Sequence, residues 1–161
     1  MKNIYIILIF TLLSFVNLYS QITYKIGSDI YYPDIKIQIG SDIYYPDIKI
    51  QIGSDVYYPD FSVGISSEKN EADFIITKSS YSDFKIQTSK DIYYPDLKIQ
   101  AGKDVYYPDI KIKLIKTGTV NYVIYSEKDF VSMNDIISAL LPVIHKFTDY
   151  EHESLNEMFN K

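Results

Sequence analysis

His145 and His152 are the only histidines in the 161-residue chain, and with Asp149, Glu151 and Glu153 beside them they are the side chains best suited to hold a transition metal. Their seven-residue spacing supplies no third soft ligand. Cysteine is absent, which removes disulfides, thiolate nucleophiles and zinc fingers together. A serine nucleophile would want a Gly-x-Ser-x-Gly elbow, and a phosphate site would want a glycine-rich loop; the chain has neither. The reading is non-enzymatic, with no catalytic residues, no resident cofactor and no metal site assigned.

The residues that do recur are aspartate and tyrosine. Asp42, Asp55, Asp91 and Asp104 follow Gly-Ser or similar turns, while Asp47, Asp60, Asp96 and Asp109 follow proline. Stacked repeats would line these carboxylates up, and calcium could bridge such rows through oxygen. The commoner use of a turn aspartate is to accept backbone amides at corners, here alongside Lys36, Lys49, Lys85 and Lys98. Of 17 tyrosines, ten sit in five copies of Tyr-Tyr-Pro-Asp. Tyr44, Asp47, Tyr57, Asp60, Tyr93, Asp96, Tyr106 and Asp109 therefore make a candidate binding face for a glycan or surface polymer. The alternative is packing: a tyrosine in a thin β-core buries its ring and leaves its hydroxyl at the wet margin.

These residues are placed by a thirteen-residue repeat. Tyr-Tyr-Pro-Asp begins at Tyr31, Tyr44, Tyr57, Tyr93 and Tyr106, and the segments Ile35–Asp47 and Ile48–Asp60 differ only at Ile43 against Val56. Glu71-Ala72-Asp73 and Tyr81-Ser82-Asp83 fall where degenerate copies should end. Closing aspartates at Asp34, Asp47, Asp60, Asp73, Asp83, Asp96 and Asp109 give seven units, the fifth shortened by three residues. Ile35-Lys36-Ile37-Gln38-Ile39 alternates with period two, the pattern of a half-buried strand. Gly40-Ser41-Asp42 supplies a turn, Ile43-Tyr44-Tyr45 a second short β-prone run, and Pro46 ends it. One unit cannot bury its own apolar face, so units must stack around a shared isoleucine and tyrosine core. A linear solenoid and a closed ring both satisfy this pattern.

The stretches Tyr44-Tyr45-Pro46-Asp47-Ile48-Lys49-Ile50, Tyr57-Tyr58-Pro59-Asp60-Phe61 and Tyr93-Tyr94-Pro95-Asp96-Leu97-Lys98-Ile99 resemble the septoil-knot domain family of small secreted bacterial proteins. The resemblance covers residues 22 to 114. It implies a small toroidal β-structure whose chain winds around the ring and is knotted, and it brings no activity with it. Proline stands here where that family commonly has alanine.

Beyond the repeats, Lys116-Thr117-Gly118-Thr119 reads as a turn and Val120–Tyr125 as a return strand, predicting a hairpin. Ser132-Met133-Asn134-Asp135 has the spacing of a helix start, and Pro142 should kink that helix or begin a new one. Tyr150–Phe159 reads as a further short helix. At the other end, Lys2 followed by the apolar run Ile4–Val16 and a polar stretch ending in Ser20 has signal-peptide grammar, with cleavage expected before Gln21 and an uncleaved anchor as the alternative.

The expected organisation is a signal peptide over 1–20, a repeat β domain over 21–115 and a hairpin with helical extension over 116–161. All 16 basic residues are lysine and the formal charge is −5, which disfavours nucleic acid as a partner. The whole describes a mainly β, repeat-built toroidal or solenoid-like protein, exported to the periplasm or outside the cell. It would span no membrane once cleaved, and its partner would be a glycan or an envelope protein.

Overall fold

A computed structural model describes residues 21–148; the expected signal peptide and the helix expected after Tyr150 lie outside the described residues. The repeat alternation becomes nine strands: β1 (Ile22–Gly27), β2 (Ile35–Gly40), β3 (Ile48–Gly53), β4 (Phe61–Ser66), β5 (Phe74–Ile76), β6 (Phe84–Ser89), β7 (Leu97–Gly102), β8 (Ile110–Leu114) and β9 (Tyr122–Ser126). Ile35, Ile37 and Ile39 of β2 are buried while Lys36 and Gln38 between them face out, as period two requires. Two helices follow, α1 (Met133–Ala139) and α2 (Leu141–Thr148).

All pairings are parallel, and the sheet closes on itself in the order β1-β5-β9-β4-β8-β3-β7-β2-β6. Successive strands are never neighbours. Each step along the chain skips one position, so the chain goes twice around the ring, and the second circuit fills the gaps left by the first. The ring, not the linear stack, is the architecture.

Between strands runs a strap of about seven residues, such as Ser41–Asp47, which turns at its start, bends at its tyrosines and returns from the end of one strand to the start of the next. It overlies the strand that is skipped: strap 28–34 crosses β6, 41–47 crosses β7, 54–60 crosses β8, 90–96 crosses β2 and 103–109 crosses β3, as their bonds to those strands require. Seven extended residues reach ~23 Å, little more than the ~20 Å of a six-residue strand, so a strap has almost no slack. This is why the repeat is thirteen residues long. The unit shortened by three keeps a seven-residue strap, 77–83, and loses its residues from β5, which has three.

Three expectations are corrected. Each unit holds one strand, because Ile43-Tyr44-Tyr45 lies in the strap. β8 and β9 do not form a hairpin; β9 inserts parallel between β4 and β5, so the ring has nine strands where seven units were counted, and the boundary expected at 115 falls inside it. The core is not shared by isoleucine and the repeat tyrosines. Among the described residues Tyr24 is the one buried tyrosine, and the interior is filled by Ile35, Ile37, Ile48, Ile50, Leu97, Ile99 and their equivalents. Straps have an apolar contact of their own: a Cβ on Gly40 would stand 3.2 Å from Ile43 Cδ1, so glycine lets the strap start close to the strand end.

The helical expectations hold. Ser132 caps α1 in a reciprocal capping box with Asp135, and Pro142 falls in the first turn of α2, where the missing N–H costs nothing. Ile136, Ile137, Leu140, Leu141 and Ile144 join the same apolar cluster as the strands. Phe147 packs on Phe61, the first residue of β4, with ring centres 5.1 Å apart, so the helices cover the end of the ring where strands begin.

A walk that skips one position visits every place in a ring only if the number of places is odd. Deleting one unit, Ile48–Asp60, leaves eight strands and should abolish cooperative unfolding. Deleting two, Ile35–Asp60, leaves seven and is compatible with closure. Far-UV circular dichroism melts of both variants test this: a cooperative single-deletion monomer would contradict the double circuit.

Candidate binding surface

The residues that close each unit act as latches. Asp47 donates its backbone N–H to the carbonyl of Lys98 (2.9 Å) and accepts the Lys98 N–H on its carboxylate (2.8 Å). The same two-point bond joins Asp34 to Lys85, Asp60 to Lys111, Asp96 to Lys36, Asp109 to Lys49 and Asp73 to Val123. Asp83 accepts both the amide and the hydroxyl of Thr23. Each partner lies on the strand that the strap has crossed. The expected use of these aspartates, backbone amides at corners, is the one found, and their lysine partners take part through the main chain.

Asn121 is a latch that the sequence reading missed. It engages Ser62 with its own N–H and its side-chain oxygen, twelve residues after Asp109 and just before the alternating start of β9. The far ends of four straps are held by outward glutamines: Gln87 Nε2 donates to the Ser28 carbonyl, Gln38 to Lys90, Gln100 to Ser41 and Gln51 to Lys103, at 2.8–2.9 Å.

The tyrosines are left outside this scheme. All ten of the Tyr-Tyr-Pro-Asp copies are 74–91% exposed. Four of the five pairs meet edge-to-face with ring centres 4.1–4.4 Å apart. The hydroxyls of Tyr44 and Tyr45 lie 3.4 Å apart and those of Tyr106 and Tyr107 3.2 Å, and these hydrogen bonds push Tyr44 and Tyr106 up from the ordinary tyrosine range. The second tyrosine of every pair, Tyr32, Tyr45, Tyr58, Tyr94 and Tyr107, has φ of 49–53°. A bulky residue in that left-handed region is strained by ~1–2 kcal/mol, and the proline that follows disfavours the right-handed alternative.

Double winding rearranges these pairs. Read around the ring, the straps carry Tyr31/Tyr32, Tyr93/Tyr94, Tyr44/Tyr45, Tyr106/Tyr107 and Tyr57/Tyr58, because they cross β6, β2, β7, β3 and β8, which are consecutive neighbours. Five tyrosine straps thus form one uninterrupted arc. The remaining four, around 115–121, 67–73, 127–132 and 77–83, carry no tyrosine pair and are mostly polar, with Tyr81 and Phe130 exposed among them. Of the expected face, Tyr44, Tyr57, Tyr93 and Tyr106 are exposed and brought together, while Asp47, Asp60, Asp96 and Asp109 are spent on latching. Tyr31, Tyr32, Tyr45, Tyr58, Tyr94 and Tyr107 belong to the same face and were not singled out.

The other acids are arranged singly. Asp42 pairs with Lys90 of the neighbouring strap at 3.0 Å, and that hydrogen bond and charge hold its carboxyl below the usual range. Asp29, Asp91, Lys36, Gln87 and Tyr93 line a shallow groove of about 360 Å³ between the first two straps of the arc. Among the described residues no three histidine, aspartate or glutamate side chains converge as a metal site, which leaves the calcium expectation without a geometry there. His145 lies in α2, and His152 is outside the described residues. On the polar arc Glu127 accepts from the Thr77 hydroxyl (2.7 Å) and the Lys78 amide (2.9 Å) near Lys69, and these hold its carboxyl below the ordinary glutamate value.

No protein-family model matches the chain, and no curated protein sequence matches it. Among the described residues no helix is long and apolar enough to cross a membrane.

Two outcomes follow. Asp47→Ala or Asp109→Ala should cost about 1–2 kcal/mol in urea denaturation, since each removes a charge-assisted bond to a backbone amide, and the asparagine variants should lose less because Asn121 performs the same task. Glu127 has a folded-state pKa below its unfolded one, so its contribution is present above the unfolded value and lost as pH falls through the folded one. The difference in Tm between wild type and Glu127→Gln should be largest near neutral pH and shrink below pH ~4.

Proposed function

We propose that the protein is an exported, non-enzymatic β-ring that serves as a binding module at the cell envelope or outside the cell, with the tyrosine arc as its binding surface. The observation that carries this reading is strain without burial. Five tyrosines occupy a backbone region that glycine or asparagine would fill at lower cost, and their rings bury almost nothing in return. A residue that weakens the fold where it sits and packs against so little is there for what its ring meets outside.

Export rests on the amino-terminal segment read as a signal peptide, and absence of catalysis on the use made of the polar groups. Latches and glutamine buckles take up the unit-closing aspartates and the strand glutamines, and the arc presents no nucleophile paired with a base. Membership of the septoil-knot family is part of the proposal, and the closed ring with a chain that winds around it supports it.

The test is a fivefold variant in which Tyr32, Tyr45, Tyr58, Tyr94 and Tyr107 become asparagine, made in protein recovered from the exported fraction and beginning at Gln21. The unfolding free energy should rise, by up to ~1 kcal/mol per site, while adsorption to washed envelope or wall polymer falls at least tenfold. A stable variant that still adsorbs like wild type would end the binding role of the arc.

A further inference from the structure

We infer that the arc takes a linear neutral glycan, laid along the circumference of the ring so that one chain passes successive tyrosine pairs. The inference rests on the arc being a binding surface and adds the chemistry and direction of the ligand. Three features of the arc lead there.

The first is repetition in one dimension. The five pairs stand on consecutive straps over consecutive strands, so the same aromatic contact recurs at a regular interval along the circumference. A repeating surface fits a repeating ligand, and a globular partner would have no use for identical contacts in a row.

The second is the balance of charge. The five straps carry ten aspartates and two lysines, Lys90 and Lys103, and the strands beneath them add Lys85, Lys36, Lys98, Lys49, Lys111 and Lys113. A polyanion would meet an aspartate beside every tyrosine pair, and a polycation would meet the lysines of strap and strand. A neutral chain with many hydroxyls finds both acceptors and donors beside each ring.

The third is the form of the contact. Exposed tyrosines offer flat faces to the C–H side of a sugar, with a hydroxyl at the ring margin to reach its polar edge. The groove between the straps bearing Tyr31 and Tyr93 is shallow and open, and Asp29, Asp91, Lys36 and Gln87 line it together with Tyr93. Such a site holds one stretch of a chain lying across it and does not enclose an end group. Each pair contributes weakly, and strength comes from engaging several at once, since contacts after the first are made at high effective concentration.

The experiment is affinity electrophoresis of the exported chain in gels containing soluble glucan, mannan or xylan, with polygalacturonate and polylysine as charged controls, followed by titration with oligomers of the retarding glycan. The expected result is retardation by at least one neutral glycan, affinity that climbs with oligomer length from dimer to hexamer, and no retardation by polygalacturonate. Tyr44→Ser with Tyr45→Ser, in the middle of the arc, should lower affinity about tenfold or more. Tyr57→Ser with Tyr58→Ser, at its end, should lower it less, and Phe130→Ser, on the strap over β5 away from the arc, not at all. Circular dichroism establishes that each variant is folded.

Failure of the inference and failure of the binding surface are separable. Tyrosine-dependent binding to polylysine alone, or tyrosine-dependent dimers in sedimentation velocity without glycan binding, would overturn the glycan and keep the surface. Glycan binding that is indifferent to oligomer length would overturn the circumferential arrangement. Binding to neutral glycans that survives all the tyrosine variants would overturn the surface itself, and no retardation by any neutral glycan overturns the inference.

Discussion

A parallel sheet usually needs long crossovers, because the chain must travel back along the full strand before it can start the next one in the same direction. Here the return is made in about seven residues, which leaves the strap almost no slack and requires that it end at a fixed point. The closing residue supplies that point. Its N–H and its side-chain oxygen grip both backbone groups of a single residue on the strand below, as Asp47 grips Lys98 and Asp109 grips Lys49. Because the gripped residue always belongs to the skipped strand, every latch also fixes the step between circuits. Remove that geometry and neither the register nor the closure follows from the isoleucine pattern alone.

Closure in turn decides what the polar residues are free to do. A ring has no edge strand to protect, and straps cover the outer face of the sheet, so the backbone is satisfied without charged gatekeepers. The aspartates after proline are committed to latches and the strand glutamines to strap carbonyls, which leaves the lysine heads and the tyrosines as the variable part of the surface. The apolar cost of closure is met inside, where the helices cover one mouth of the ring with Ile136, Ile137, Leu140 and Leu141. What began as a composition rich in tyrosine and aspartate therefore divides by role, the acids inward to the chain's own amides and the rings outward to solvent.

Much of this was legible in the sequence. Period-two alternation located the strands, the regular aspartates located the unit ends, and Ser132 with Asp135 and Pro142 located the two helices. The strap was misread as a second strand because Ile-Tyr-Tyr has high β-propensity, and propensity does not register that both edges of every strand are already paired within the closed ring. β9 was misread as a hairpin partner because Gly118 marks a turn, and a local turn signal looks the same whether the chain reverses beside its predecessor or passes over a neighbour. Asn121 was hidden by its identity, although its spacing from Asp109 and the Tyr122-Val123-Ile124 run after it fit the repeat. The left-handed tyrosines carried no signal at all, since nothing in Tyr-Tyr-Pro reports a positive φ that the strap geometry imposes.

The order of units around the ring is the feature furthest from any linear reading. Along the chain the tyrosine units come in two blocks, three early and two late, separated by units whose straps carry Glu68, Lys69, Glu71, Lys78 and Ser80. Stacked in sequence order, as in a solenoid, those blocks would be two short patches with a charged gap between them. A step of two interleaves them instead, the late pairs Tyr93/Tyr94 and Tyr106/Tyr107 falling between the early ones, and gathers the charged units on the opposite side. The continuous face therefore belongs to the topology as much as to the tyrosines: the same residues on a singly wound ring of nine would present no run longer than three. Fold and candidate surface stand or fall together for that reason, with the latching aspartates upstream of both.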